Sequence, residues 1–82
     1  MDTYRSITVL YSGKNANVRV NDRFPTVQSV VEKALAQMHA SLEKVSCRFY
    51  FETDIKQVAW TKAIPADCNC ITILRLFTLV IV

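Results

Sequence analysis

A change of period between residues 21 and 27 constrains this chain more than any other feature. Residues 6–12 (SITVLYS) alternate Ile7, Val9 and Tyr11 with Thr8, Leu10 and Ser12, the period of two that a half-buried strand requires. The only glycine of the 82 residues follows, in Gly13-Lys14-Asn15, where Gly and Asn tolerate the positive φ of a hairpin turn. Residues 16–21 (ANVRVN) then set Val18 and Val20 inward and Asn17, Arg19 and Asn21 outward. An antiparallel hairpin is expected. After Phe24-Pro25-Thr26 the period lengthens: Val27, Val30, Val31, Ala34, Leu35 and Met38 recur at helical spacing, with Gln28, Ser29, Glu32, Lys33 and Gln37 opposite. Pro25 disfavours helix before it and Thr26 can cap, so an amphipathic helix is expected over roughly residues 27–40, lying on a sheet.

The second half returns to a period of two. Leu42 and Val45 are expected to reach back to the core, and residues 46–52 (SCRFYFE) alternate Cys47, Phe49 and Phe51 with Arg48, Tyr50 and Glu52 as a third strand. Residues 57–61 read as a short fourth strand, Ile64-Pro65-Ala66-Asp67 as a loop, and Ile71 onward as a fifth strand. Hairpin, helix, then three strands in one domain of this length gives an α+β class with a mixed sheet covered on one face by one helix. A ferredoxin-like arrangement needs a second helix, and residues 53–70 are too short and carry Pro65.

The bulk numbers narrow the function classes. Hydrophobic residues make up 51% of the chain, enough for a core. Ten Lys and Arg against seven Asp and Glu give a net charge of +3, with the basic residues spread along the chain rather than clustered between aromatics, so nucleic acid is not the expected partner. Cys47, Cys68 and Cys70 are an odd number, and Met1-Asp2-Thr3 does not open a secretory leader. Free thiols in a cytoplasmic or nuclear setting are expected. Cys68-Asn69-Cys70 lacks the second pair of ligands that a structural zinc site requires, and nothing in the sequence brings His39 to it. No metal, no cofactor and no catalytic residue are expected, because one His, no activated Ser or Cys and no Gly-rich phosphate loop leave nothing to build an active site from.

Four segments together resemble the ubiquitin-like β-grasp: the first turn Ser12-Gly13-Lys14, the capped helix start Thr26-Val27-Gln28, the third strand Cys47-Arg48-Phe49-Tyr50-Phe51, and the closing Ile-Thr-Ile-Leu-Arg-Leu of residues 71–76. The resemblance covers about residues 5–77, the expected core of a single domain spanning 1–82, with residues 78–82 as an apolar extension. It implies a non-enzymatic domain that binds protein partners through its exposed sheet face. Carried over by position, the partner-binding residues would be Leu10, Arg48, Tyr50, Thr72 and Leu74. The alternation independently sets these away from the helix. An aromatic and two leucines rimmed by an Arg have the make-up of an interaction hot spot. Conjugated members of the superfold end in Gly-Gly, whereas this chain ends Leu79-Val80-Ile81-Val82, so a modifier or sulfur carrier is not expected.

Two other branches imply different contacts. GTPase-binding members pair the second strand with a small GTPase through basic side chains, for which Lys14, Arg19, Arg23 and Lys33 would serve here. The PB1 and DIX branches assemble head to tail, which Glu52 and Asp54 against a basic strand-two edge would support, although the dense acidic loop of PB1 is missing. The closing residues 70–82 (CITILRLFTLVIV) carry one charge, Arg75, and are too short to span a membrane as a helix. If even positions face outward, Arg75 points to the helix side, and everything after it projects beyond the grasp. Leu76, Phe77, Leu79, Val80, Ile81 and Val82 would then form an aggregation-prone edge that needs cover. A strand of a second copy, a strand of a different partner, or later parts of a longer protein would each provide it. The first makes the domain a homo-oligomeric assembly unit.

Overall fold

Among the described residues, five strands and one helix form in the order β1 (Arg5–Tyr11), β2 (Lys14–Val20), α1 (Val27–Met38), β3 (Cys47–Phe51), β4 (Gln57–Val58) and β5 (Cys70–Arg75). The structure is a computed structural model, and it describes residues 5–21, 23–42, 47–52 and 56–75. The strands make one mixed sheet ordered β2-β1-β5-β3-β4. β1 and β5 run parallel in its middle, and the other neighbours are antiparallel. This is an α+β fold with one helix on one face, as the change of period predicts.

The hairpin turn is tighter than the sequence reading. Tyr11 pairs with Lys14, so the turn is Ser12-Gly13 rather than Gly13-Lys14-Asn15. Both turn residues have positive φ (52° and 77°), the conformation whose twist suits a two-residue hairpin. Lys14 and Asn15 are therefore strand residues.

Helix α1 starts and stops where local chemistry allows. The Thr26 hydroxyl accepts from the Ser29 backbone N–H at 3.2 Å and the Ser29 hydroxyl accepts from the Thr26 N–H at 3.2 Å, a reciprocal capping box. The next donors are met from outside the helix: Val27 donates to the Lys62 carbonyl and Gln28 to the Trp60 carbonyl, both at 2.9 Å. Those contacts also shorten the fourth strand to Gln57–Val58 instead of residues 57–61, because the backbone from Ala59 turns away to reach the helix. At the other end the helix stops at Met38, not at residue 40. His39 adopts the left-handed region (φ 52°), and Ala40 donates back to the Leu35 carbonyl at 2.9 Å, the closing bond of a Schellman turn.

The core lies between α1 and the inner face of the sheet. Val27, Val30, Val31 and Ala34 meet Ile7, Val9, Val18, Val20, Phe49, Phe51, Ile71 and Ile73, all buried. The alternation in β1, β2, β3 and β5 therefore selects the buried set correctly. Leu42 packs against this cluster as expected, whereas Val45 lies outside the described residues. Trp60 joins from the loop after β4, its ring 5.2 Å from that of Phe49.

Candidate protein-interaction face

The outer face of the sheet, opposite α1, carries the residues that alternate with the core. Register aligns them into rows. One row crosses all five strands as Asn15, Leu10, Thr72, Tyr50 and Gln57. A second sets Arg48 directly opposite Leu74 on β5. A third joins Asn17, Thr8 and Cys70, with the Thr8 hydroxyl donating to the Asn17 side-chain carbonyl at 2.7 Å.

All five residues expected at a partner-binding face thus belong to neighbouring strands and share one side. Leu10 is 39% exposed and Leu74 52%, while Thr72, Tyr50 and Arg48 are half-buried by their neighbours. Arg48 also donates to its neighbour's carbonyl, that of Cys47, at 3.2 Å, which holds the guanidinium near the sheet. Beside the turn, a shallow open groove of about 320 Å³ runs between Leu10, Gly13, Asn15, Thr72 and Leu74. The result is an apolar strip with hydroxyl and amide groups alongside and a cation at its rim. Apolar atoms there gain from leaving water, and the rim can supply orientation.

The alternative basic set is split at β2. Lys14 and Arg19 lie on β2 at positions of opposite parity, so Lys14 is on the helix side and Arg19 on the outer face. Both are exposed; Arg23, also exposed, holds its guanidinium 5.9 Å from the Phe24 ring centre, and Lys33 is on the exposed side of α1. Glu52, half of the head-to-tail acidic pair, accepts from the Asn69 backbone N–H at 2.7 Å, while Asp54 lies outside the described residues. The tail residues Leu76, Phe77, Leu79, Val80, Ile81 and Val82 also lie outside them. Arg75, by alternation on the side of Ile71 and Ile73, is exposed.

The three thiols are free. Cys47 and Cys68 are buried, the Cys68 thiol directed at the Cys70 carbonyl (3.3 Å). Burial, then the Glu52 carboxylate, then Cys68 push the half-buried Cys70 thiol above its ordinary value, which favours the unreactive protonated form. Among the described residues no three His, Cys, Asp or Glu side chains gather as metal ligands, and no helix is long and apolar enough to cross a membrane.

Two features escape sequence reasoning. The Arg5 guanidinium donates to the carbonyls of both Pro65 and Cys68, tying the start of β1 to the loop before β5. Nothing in the local pattern marks Arg5 as different from other surface cations, because its acceptors lie sixty residues away. Phe24, 78% exposed beside Arg23, was readable only as punctuation before the helix. No protein-family model, curated protein or solved structure matches this chain.

Proposed function

We propose that this chain is a ubiquitin-like β-grasp domain that acts without catalysis, binding protein partners through the outer face of its sheet. The fold part of the reading is supported by a hairpin and three later strands in one mixed sheet packed on one helix, with the closing strand beside the first. The functional part rests on one observation: Leu10 and Leu74 stay exposed on the same face as Tyr50 and Thr72, with Arg48 directly across from Leu74. Exposed leucines clustered about an aromatic residue form a contact surface more readily than leucines scattered singly. A small GTPase bound through Lys14, Arg19, Arg23 and Lys33 is a less favoured partner, because the two strand-two cations diverge to opposite faces.

The test is affinity capture with the full chain and three variants, Tyr50→Ala, Leu74→Ala and, on the exposed side of the helix, Lys33→Ala. Partners held by the parent and by Lys33→Ala but lost with Tyr50→Ala and Leu74→Ala are the expected result. Equal recovery on all four baits would refute the sheet-face reading. Loss with Lys33→Ala, together with binding to nucleotide-loaded GTPases that weakens as salt rises, would favour the GTPase reading instead.

A further inference from the structure

We infer that β2 is a self-association edge, on which a second copy of this chain pairs antiparallel about a twofold axis at Asn17 to continue the sheet across two molecules. The inference is independent of what the outer face binds.

The two edges of the sheet are built differently. β4 is two residues long, and shortness is one of the devices by which edges avoid pairing. β2 runs for seven residues, pairs one-to-one with β1 without a bulge, and contains no Pro. Among the described residues nothing pairs with its outer side.

Hydrogen-bond phase follows from the turn. A two-residue hairpin makes Tyr11 and Lys14 a pair that exchanges both backbone bonds, and such pairs then recur at Val9–Ala16, Ile7–Val18 and Arg5–Val20. The intervening positions direct their N–H and C=O groups away from β1, among them Asn15 and Asn17.

An antiparallel copy centred on Asn17 engages the whole strand. Asn15 then faces Arg19 of the second copy, Ala16 faces Val18, and Lys14 faces Val20, so no charge meets a like charge. At the axis Asn17 faces itself. Its side-chain carbonyl accepts from Thr8 on the β1 side and retains a second lone pair, while the amide nitrogen supplies two donors. Two such amides can bond reciprocally across the axis. An acidic extended peptide could use the same backbone groups, yet it would find its cations on opposite faces of β2, whereas self-pairing needs no charge at all. Salt separates the two occupants: copies of net charge +3 repel weakly, so the homodimer strengthens as salt rises, and an acidic strand would bind less well.

The experiment is sedimentation equilibrium of the full chain over a concentration series at low and high salt, with circular dichroism to report folding. The expected result is a shift from one to two chain masses that moves to lower concentration at high salt. Asn17→Pro removes an outward N–H without touching the ladder to β1, and should return the mass to that of one chain with the dichroism unchanged. If that variant fails to fold, Asn17→Lys and Asn17→Asp carry the same test. Each alone sets like charges across the axis and should be monomeric, and an equimolar mixture of the two should recover the dimer. A single-chain mass at every concentration overturns the inference, as does a dimer indifferent to all three Asn17 variants. A dimer lost only on removing residues 78–82 also overturns it, in favour of the tail.

Discussion

Arg48 of β3 and Leu74 of β5 are direct cross-strand neighbours on the outer face of the sheet. Leu74 therefore sits beside a charge and remains half-exposed, whereas Ile71, three residues earlier on the same strand, is fully buried against the helix side. The two residues separate the proposed contact face from the core within one strand. Ile71→Ala removes core atoms and should cost about 2–5 kcal/mol. Leu74→Ala should cost only about 1 kcal/mol, since Leu74 is 52% exposed and the burial it loses is correspondingly partial. Urea unfolding of both variants checks the pair: a Leu74→Ala loss as large as that of Ile71→Ala would make Leu74 a core residue and remove it from the proposed contact surface.

The Arg5 bridge to Pro65 and Cys68 spans 60 and 63 residues, the longest separation of any side-chain hydrogen bond among the described residues. It fixes the loop that delivers the chain into β5, the central strand beside β1. Arg5→Ala leaves two carbonyls without their charged donor and should destabilise the domain by about 1.5–3 kcal/mol. Both bonds come from one terminal nitrogen, which a Lys ammonium could mimic, but on a side chain one bond shorter, so Arg5→Lys should recover only part of the loss. Denaturant midpoints for the two variants decide this; equal midpoints for Ala, Lys and the parent would mean that the bridge contributes nothing.

How much was legible beforehand depends on the range of the interactions. Alternation in residues 6–12 and 46–52 and the helical spacing of Val27, Val30, Val31 and Ala34 are local, and they select the buried faces correctly. The outer-face set of Leu10, Thr72, Tyr50, Arg48 and Leu74 is legible for the same reason: a strand that buries one parity exposes the other. Element ends were less readable, because distant groups set them. β4 stops at Val58 since the carbonyls of Trp60 and Lys62 are drawn to the first N–H groups of α1, and α1 stops at Met38 since His39 accepts a left-handed conformation that its residue type tolerates but does not require. The strand order, which makes β2 an edge and β5 central, arises from pairing between segments some sixty residues apart and lies beyond any local pattern.

His39 offers a test of that helix end. A residue with a side chain pays about 1 kcal/mol or more for the left-handed region, which glycine enters without strain. Glycine also loosens the unfolded chain, which offsets part of the gain. His39→Gly should therefore stabilise the domain by about 0.5 kcal/mol, and His39→Val, branched at Cβ, should destabilise it by about 1 kcal/mol or more. Thermal melts of the two variants should move in opposite directions, by a few degrees each for a domain of this size. Movement in the same direction would contradict the Schellman ending.

Cys70 predicts an alkaline limit to stability. Burial, the Glu52 carboxylate and Cys68 raise its thiol above the ordinary value of 9.0, so the folded state holds its proton to higher pH than the unfolded state does. Between the unfolded and folded values the unfolded chain binds fewer protons, and stability falls as pH rises. The contribution is complete below pH 9.0 and is lost above it, through the folded value. Cys70→Ala has no thiol to ionise, and above pH 9.0 its unfolding free energy should decline less steeply than the parent's. Glu52→Gln removes the neighbouring carboxylate's repulsion while keeping an oxygen acceptor for the Asn69 N–H, so it should lie between the two. Urea titrations at matched ionic strength give the three slopes, and identical slopes for the parent and Cys70→Ala would show that the thiol is not held protonated by the fold.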